Sequence, residues 1–196
     1  MRKRKIFYVL LLTAFLFSCK KGEKDPFLSL STRKARLEGD WKLVKGHLKF
    51  TYEKDGNTLY EDNSTLTEDY FTSVNDLDGS TLEGKYKLQI SFTKDGDFSF
   101  LQLIESNTVS GNGTWDFLRA SGKYKNKERV SFKPNAIGGG SYWMDAFNKS
   151  VNYFIYEISE LRKDKMVLKV DKEVLDVNSK DGITCYVTSE YTFAQK

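Results

Sequence analysis

The fold class is decided by one stretch of the chain, Gly84-Lys85-Tyr86-Lys87-Leu88-Gln89-Ile90-Ser91-Phe92-Thr93, followed by Lys94-Asp95-Gly96-Asp97 and Phe98-Ser99-Phe100. Apolar and polar side chains alternate along it, and this period of two predicts a half-buried β-strand. The Asp95-Gly96 pair predicts a hairpin turn, because glycine accepts the positive φ that such a turn requires. We therefore predict an antiparallel hairpin over residues 84–105.

The same alternation recurs in weaker form through the rest of the chain. It predicts about nine strands in series, at residues 41–52, 70–74, 84–93, 98–105, 114–117, 130–132, 152–161, 166–170 and 183–193. The first strand keeps its alternation only if the phase slips near Gly46, which predicts a bulge there. A second slip is expected near Leu101, and the strand from Val130 is expected to end at Pro134. A short helix is predicted at residues 31–37, and no long helical period follows.

Consecutive strands with one apolar face predict an all-β protein, an antiparallel up-and-down β-barrel of about eight or nine strands. Closing the sheet removes exposed edges that would otherwise pair with other chains. A two-sheet sandwich is the alternative architecture. The barrel domain is predicted to span residues 36–196.

The first 19 residues have the pattern of a lipoprotein signal peptide. Four basic residues at positions 2–5 precede an apolar run at 6–17, which is too short to span a bilayer as a helix. The sequence Leu16-Phe17-Ser18-Cys19 resembles a bacterial lipobox, which implies removal of residues 1–18 and acylation of Cys19. Residues 19–35 are then expected to be a lipidated N-terminus and flexible tether. We expect a lipid-anchored protein of the cell envelope, at the outer membrane. The sequence does not distinguish the periplasmic face of that membrane from the surface face.

The composition excludes a strongly basic nucleic-acid-binding protein. The chain has 31 basic and 27 acidic residues, and removing the four basic residues of the signal peptide leaves 27 of each. Hydrophobic residues make up 39% and prolines number two, which favours one folded domain over a disordered chain. We expect no nucleic-acid partner, and the sequence names no protein partner.

The segment Arg36-Leu37-Glu38-Gly39-Asp40-Trp41-Lys42-Leu43-Val44 resembles the opening of lipocalin-like domains. A second Gly-x-x-Trp-like piece covers residues 111–117, and the hairpin at 158–168 is similar to those of lipocalin-like lipoproteins common in Bacteroidota. The resemblance covers about residues 37–193 and implies a calycin-like barrel. Independently, Gly39 and Trp41 are expected to form a structural plug, in which the indole closes the barrel end and donates to a loop carbonyl.

The sequence contains no pattern typical of a catalytic or metal site. His47 is the single histidine and Cys185 is left without a disulfide partner, so a zinc site lacks ligands. Residues 74–85 do not match a calcium loop, because Val74 and Lys85 occupy its acidic positions. We expect no catalytic residue, no metal, no cofactor and no enzymatic activity.

Two functions remain open. A barrel of this size can hold one small apolar ligand, with burial stabilising the complex by about 25 cal/mol per Å² of apolar surface. Its lining is predicted to include Tyr86, Phe98, Phe100, Trp115 and Phe117, with Tyr142 and Trp143 on a loop at the mouth. Alternatively, the barrel is filled by its own side chains and its loops contact a protein or glycan, or Trp143 folds back into the core.

Overall fold

The computed structural model describes residues 24–26, 31–138, 154–178 and 181–196. Within these ranges the chain forms one short helix and ten β-strands. In chain order they are α1 (Arg33–Leu37), β1 (Gly39–Lys54), β2 (Asn57–Thr67), β3 (Tyr70–Asn75), β4 (Thr81–Phe92), β5 (Asp97–Ile104), β6 (Asn107–Phe117), β7 (Arg129–Gly138), β8 (Phe154–Leu161), β9 (Lys165–Asn178) and β10 (Ile183–Gln195).

The ten strands form one closed, antiparallel barrel in which each strand pairs with its neighbours in sequence and β10 returns to pair with β1. The predicted all-β antiparallel barrel is confirmed, and with it the short helix before β1. The predicted hairpin is also confirmed: β4 and β5 pair from Tyr86↔Ile104 to Phe92↔Phe98, and Gly96 in the turn has a φ of 99°.

The strand number is ten, not eight or nine, because the sequence pattern does not mark β2. Most of its side chains are polar, and within the strand only Ser64 and Leu66 are buried. The strand forms because it pairs along its length with β1 and over residues 62–66 with β3, so its backbone hydrogen bonds do not depend on an apolar face.

The barrel has different strand numbers at its two ends. At the start of β1, Gly39–Lys42 pair with residues 89–92 of β4, whereas from Lys45 onward β1 pairs with β2. The β2–β3 hairpin therefore enters the sheet as a wedge, and the ring contains eight strands at one end and ten at the other. Because barrel diameter grows roughly in proportion to strand number, the second end is about a quarter wider.

We call these the narrow end and the wide end. The narrow end carries α1, the C-terminus and the turns that follow β4, β6 and β8, whereas the β2–β3 turn lies part-way along the barrel, beside Lys85 of β4. The wide end carries the turns that follow β1, β3, β5 and β9. Residues 139–153, which join β7 to β8, lie outside the described residues.

The phase slip predicted near Gly46 is confirmed: it lies between Leu43 and Lys45, so that Val44 is turned outward. Two other local expectations are corrected. The slip expected near Leu101 is absent, because β5 keeps strict alternation and buries Gln102 instead. The strand expected to end at Pro134 continues to Gly138, because Pro134 lies opposite a bulge at Asn112/Gly113 where the ladder is interrupted.

Candidate functional site

Five aromatic residues predicted to line a ligand cavity lie on β4, β5 and β6, and their side chains face the barrel interior. Tyr86, Phe98, Phe100 and Trp115 are buried, and Phe117 is partly buried against the same core. The alternation in the sequence placed these side chains on the inner face. It could not say whether they face empty space or one another.

In the narrow half the rings pack against one another. The Trp115 ring lies 5.9 Å from Phe92 and 5.4 Å from Phe117, both edge-on. Phe132 completes the group, 5.3 Å from Phe98 and 5.5 Å from Phe92. Aromatic pairs at these centroid separations are in contact. The narrow half is thus a packed aromatic core, and Phe98, Trp115 and Phe117 belong to it.

Trp41 lies at the centre of the narrow end and is fully buried. Its indole Nε1 donates a 2.8 Å hydrogen bond to the carbonyl oxygen of Leu37, the last residue of α1. Gly39, two residues earlier, has a φ of 127°, which a residue with a Cβ rarely adopts, so glycine permits the turn from the helix into β1. The helix, the turn and the indole together cover this end.

A buried ionic cluster completes the cover. The carboxylate of Asp25 lies 3.0 Å from Arg33 and 3.9 Å from Arg36, and it accepts a 2.8 Å hydrogen bond from the Leu161 amide. The two guanidinium groups also donate to the carbonyls of Ile158 and Leu161. Burial outweighs the attraction of Asp25 and lowers the pKa of Arg33 to about 10.

Part of the segment expected as a tether, residues 19–35, is held against the barrel. The described Asp25 and the start of α1 pack onto β8, and α1 agrees with the helix predicted at residues 31–37. The Lys24 amide also donates to the Ser159 carbonyl at 2.9 Å. Sequence reasoning missed this because one acid among several charges gives no sign that it will be buried.

The wide half has a different lining. Beside the buried rings of Phe50, Phe71, Tyr86 and Phe100, its inner face carries aliphatic side chains and several buried polar groups. The aliphatic and polar groups include Ile104, Val109, Val170, Val187, Ser64, Ser189 and Gln102. The Gln102 amide donates to the Tyr86 hydroxyl at 3.0 Å, and Ser64 bonds to Ser73 at 2.9 Å. The Ser189 hydroxyl is buried without a hydrogen-bond partner among the described residues.

The three buried polar residues Ser64, Gln102 and Ser189 were not predicted as site residues. Strict alternation would have placed two of them inward, since Gln102 follows Phe98 and Phe100 and Ser189 follows Cys185 and Val187. Ser64 lies in β2, which the sequence pattern does not mark. The signal was therefore present, but the choice of lining residues by apolarity discarded it.

At the rim of the wide end, the rings of Tyr52 and Tyr60 stack with centroids 4.3 Å apart. Asn75 donates a 2.8 Å hydrogen bond to Asp62 on the neighbouring strand. Burial, with Cys185 close by, raises the pKa of Tyr52. The rim thus combines partly exposed aromatic faces with polar groups, unlike the covered narrow end.

A groove of about 540 Å³ crosses the outer face of β2, β1, β10, β9 and β8. On this face His47 lies opposite Glu190, Glu190 lies opposite Lys169, and Lys169 lies opposite Glu157. The Lys169 ammonium lies 3.0 Å from Glu190. Opposite charges therefore alternate across the groove, as expected for a solvated outer face that is stabilised by cross-strand pairs.

The remaining predicted residues, Cys19, Tyr142 and Trp143, lie outside the described residues. Across the described ranges, no three His, Cys, Asp or Glu side chains converge on a point where a metal ion could bind. None of the described segments forms a helix with the length and apolarity of a membrane span. No protein-family model matches this chain, and no curated protein matches it in sequence.

Proposed function

We propose that this protein is a lipid-anchored protein of the cell envelope that binds a small apolar ligand in the wide half of its barrel. The observation that carries the proposal is the difference between the two ends: eight strands and a covered base at one, ten strands at the other. Anchoring through Cys19, after removal of residues 1–18, rests on the sequence pattern described above.

The lining of the wide half suits such a ligand. Ligand cavities are mostly apolar with a few polar groups that orient the bound molecule. Val109 and Val187 offer short aliphatic walls, and Tyr86, Gln102 and Ser189 are the polar groups. Burying about 300 Å² of apolar ligand surface would give roughly 7 kcal/mol before the losses of binding are subtracted.

The narrow half then has a structural role. Its packed rings and the cover formed by Trp41 and α1 leave the wide end as the route of access. In this proposal Tyr86 and Phe100 remain lining residues, while Phe98, Trp115 and Phe117 form the floor below the ligand.

The test fills the wide half with one added ring. In Val109→Phe the new side chain points inward near the β5–β6 turn, and in the matched control Thr108→Phe it points to solvent. Protein from a native-like host is extracted with organic solvent and the extract is analysed by mass spectrometry. We expect an apolar molecule with the wild type and the control, and at least about a five-fold loss with Val109→Phe at unchanged stability.

The same variant distinguishes ligand binding from the alternative, a barrel filled by its own side chains. In a barrel filled by its own side chains, Val109→Phe is overpacked and loses about 1–3 kcal/mol of unfolding free energy. That loss, together with a wild-type extract that contains no apolar molecule, would overturn ligand binding. It would favour an envelope interaction protein whose loops contact a protein or glycan.

A further inference from the structure

We propose that one side of the narrow end is a membrane-contact surface that binds the anionic headgroups of the bilayer to which the chain is anchored. The proposal rests on the lipid anchor proposed above and adds the orientation of the barrel. In this orientation the narrow end of the barrel contacts the bilayer and the wide end points away from the membrane.

The charges of the two ends differ. At the wide end, the described turn residues 55–56, 76–80, 105–106 and 181–182 contain five acids and no lysine or arginine, and Lys54 at the end of β1 is an exposed cation next to them. At the narrow end, α1 and the connections that follow β6 and β8 present exposed cations, which we call the basic surface: Lys34, Arg119, Lys123, Lys125, Lys127, Arg162, Lys163 and Lys165. The acids in these connections are Glu128 and Asp164.

The basic surface covers one side of the narrow end. On the opposite side, the turn that follows β4 carries Asp95 beside Lys94. Further along the barrel, Glu68 and Asp69 of the β2–β3 turn pair with Lys42 and Lys87, so this side has no excess of cations in its turns. Arg162 and Lys165 pair with Glu160 at 2.5 and 2.7 Å. The lysines of the β6–β7 connection make no ion pair among the described residues, and all three are exposed. The ammonium groups of Lys123 and Lys127 lie 5.2 and 6.0 Å from the ring centroids of Tyr124 and Phe117.

The chain reaches the barrel within this surface. The Lys24 amide bonds to Ser159, and Asp25 is held between Arg33 and the Leu161 amide, all on the β8 side. The β6–β7 connection is adjacent, because the Ile158 amide donates to the Glu128 carbonyl at 2.8 Å. The buried ionic cluster therefore fixes the point from which the anchor segment leaves.

The anchor keeps this surface close to the bilayer. Residues 20–24 separate Cys19 from the fixed point, a span of at most about 18 Å. Screening in physiological salt extends over roughly 8 Å, so a surface held this close can reach the headgroup layer. Each lysine near an anionic membrane contributes about five-fold to membrane affinity, and three together roughly a hundred-fold.

The test measures orientation on vesicles. In a Cys185→Ala background, the lipidated chain carries a fluorophore at Ser121→Cys in the β6–β7 connection or at Leu77→Cys in the β3–β4 turn. The vesicles carry an acceptor on the headgroup. These sites are separated by about 30 Å along the axis, the rise of a twelve-residue strand tilted by roughly 40°. Energy transfer should be stronger from Ser121→Cys, and this difference should grow with phosphatidylglycerol and fall in 0.5 M salt.

Two triple variants, which remove the same number of positive charges, separate the basic surface from the rest of the barrel. Lys123→Gln, Lys125→Gln and Lys127→Gln together should remove the dependence on phosphatidylglycerol. Lys45→Gln, Lys54→Gln and Lys133→Gln, on the sides and wide end, should leave it intact. Equal transfer from both labels, or equal effects of the two triple variants, would overturn the proposal.

Failure of the anchor is distinguished by flotation. A lipidated protein floats with neutral phosphatidylcholine vesicles regardless of orientation. If it does not float, the anchor proposal fails. Flotation with phosphatidylglycerol vesicles then tests the membrane-contact surface independently of the anchor. Salt-sensitive flotation that the β6–β7 triple variant loses supports the membrane-contact surface, and absence of flotation contradicts it.

Discussion

At the narrow end, Leu37, Trp41 and Leu161 are fully buried beneath a helix and a three-residue ionic cluster. At the wide end, Tyr52 and Tyr60 stack at the rim with part of their surface exposed. Both ends belong to the same closed sheet, and they differ because the β2–β3 hairpin joins only the wide one. The comparison teaches that one closed sheet can carry a covered aromatic core at one end and a rim of partly exposed tyrosines at the other.

The largest effect is expected at the plug. Trp41→Ala removes a fully buried indole and its hydrogen bond to Leu37, and should lower the free energy of unfolding by about 4–5 kcal/mol. Urea denaturation measures it. Leu59→Ala, at an exposed position near the wide end, should change stability by less than about 0.5 kcal/mol. Similar losses from both substitutions would remove the contrast between the ends.

The ionic cluster should be next. Asp25→Ala leaves Arg33 and Arg36 buried without a counter-charge, and should lower the free energy of unfolding by about 3 kcal/mol. Asp95→Ala, in an exposed turn of the same end, is the control. Thermal unfolding measures both.

The double variant Asp25→Leu with Arg33→Met replaces the main ion pair by apolar groups and should recover part of the loss. If Asp25→Ala proved as stable as the wild type, the segment before α1 would not be part of the cover.

Two glycines on paired strands compare the packed half with the wide end. A Cβ at Gly113 would lie 2.1 Å from the Lys133 carbonyl and 2.8 Å from the Phe98 ring, whereas one at Gly138 meets nothing within 4 Å. Gly113→Ala should therefore lower the free energy of unfolding by about 2–3 kcal/mol, and Gly138→Ala by less than about 0.5 kcal/mol. Chemical denaturation of the pair measures the difference. A tolerated Gly113→Ala would contradict the packed narrow half.

The smallest effect concerns two buried serines of the wide half. Ser64→Ala breaks the hydrogen bond to Ser73 and should lower the free energy of unfolding by about 1 kcal/mol. Ser189→Ala removes a buried hydroxyl that has no partner among the described residues, and should leave stability unchanged or slightly raised. Calorimetry resolves the two. A clear loss in Ser189→Ala would show that its hydroxyl is already bonded, which would contradict the proposal that it is free to orient a ligand.

Much of the barrel could be predicted from local alternation. The β4–β5 hairpin has apolar residues at every second position and a glycine in its turn, so short-range chemistry fixes it. The inward direction of Tyr86 and Trp115 follows from the same period of two. Strand β2 could not be predicted, because its polar side chains pair through the backbone with strands that come together only in the closed sheet.

The difference between the two ends of the barrel also could not be predicted from local sequence alternation. The plug at Trp41 was expected, yet the pairing of Gly39–Lys42 with β4 depends on contacts 50 residues apart. The burial of Asp25 depends on Leu161 and on both arginines of α1, which lie far apart in sequence or on another element. Sequence alternation predicts which side chains of each strand point inward. It does not predict how much of the barrel interior those side chains fill.

The most direct test of this contrast compares thiols placed at the two ends. Cys185 faces inward two residues from the start of β10 at the wide end, and Leu43→Cys in a Cys185→Ala background places a thiol beside the plug. Modification by N-ethylmaleimide under native conditions is followed by mass spectrometry, with the global unfolding rate measured in parallel. We predict that Cys185 reacts at least about ten-fold faster than Leu43→Cys, whose reaction should require global unfolding. Equal rates at the two thiols, both limited by unfolding, would contradict a barrel that is covered at one end and accessible at the other.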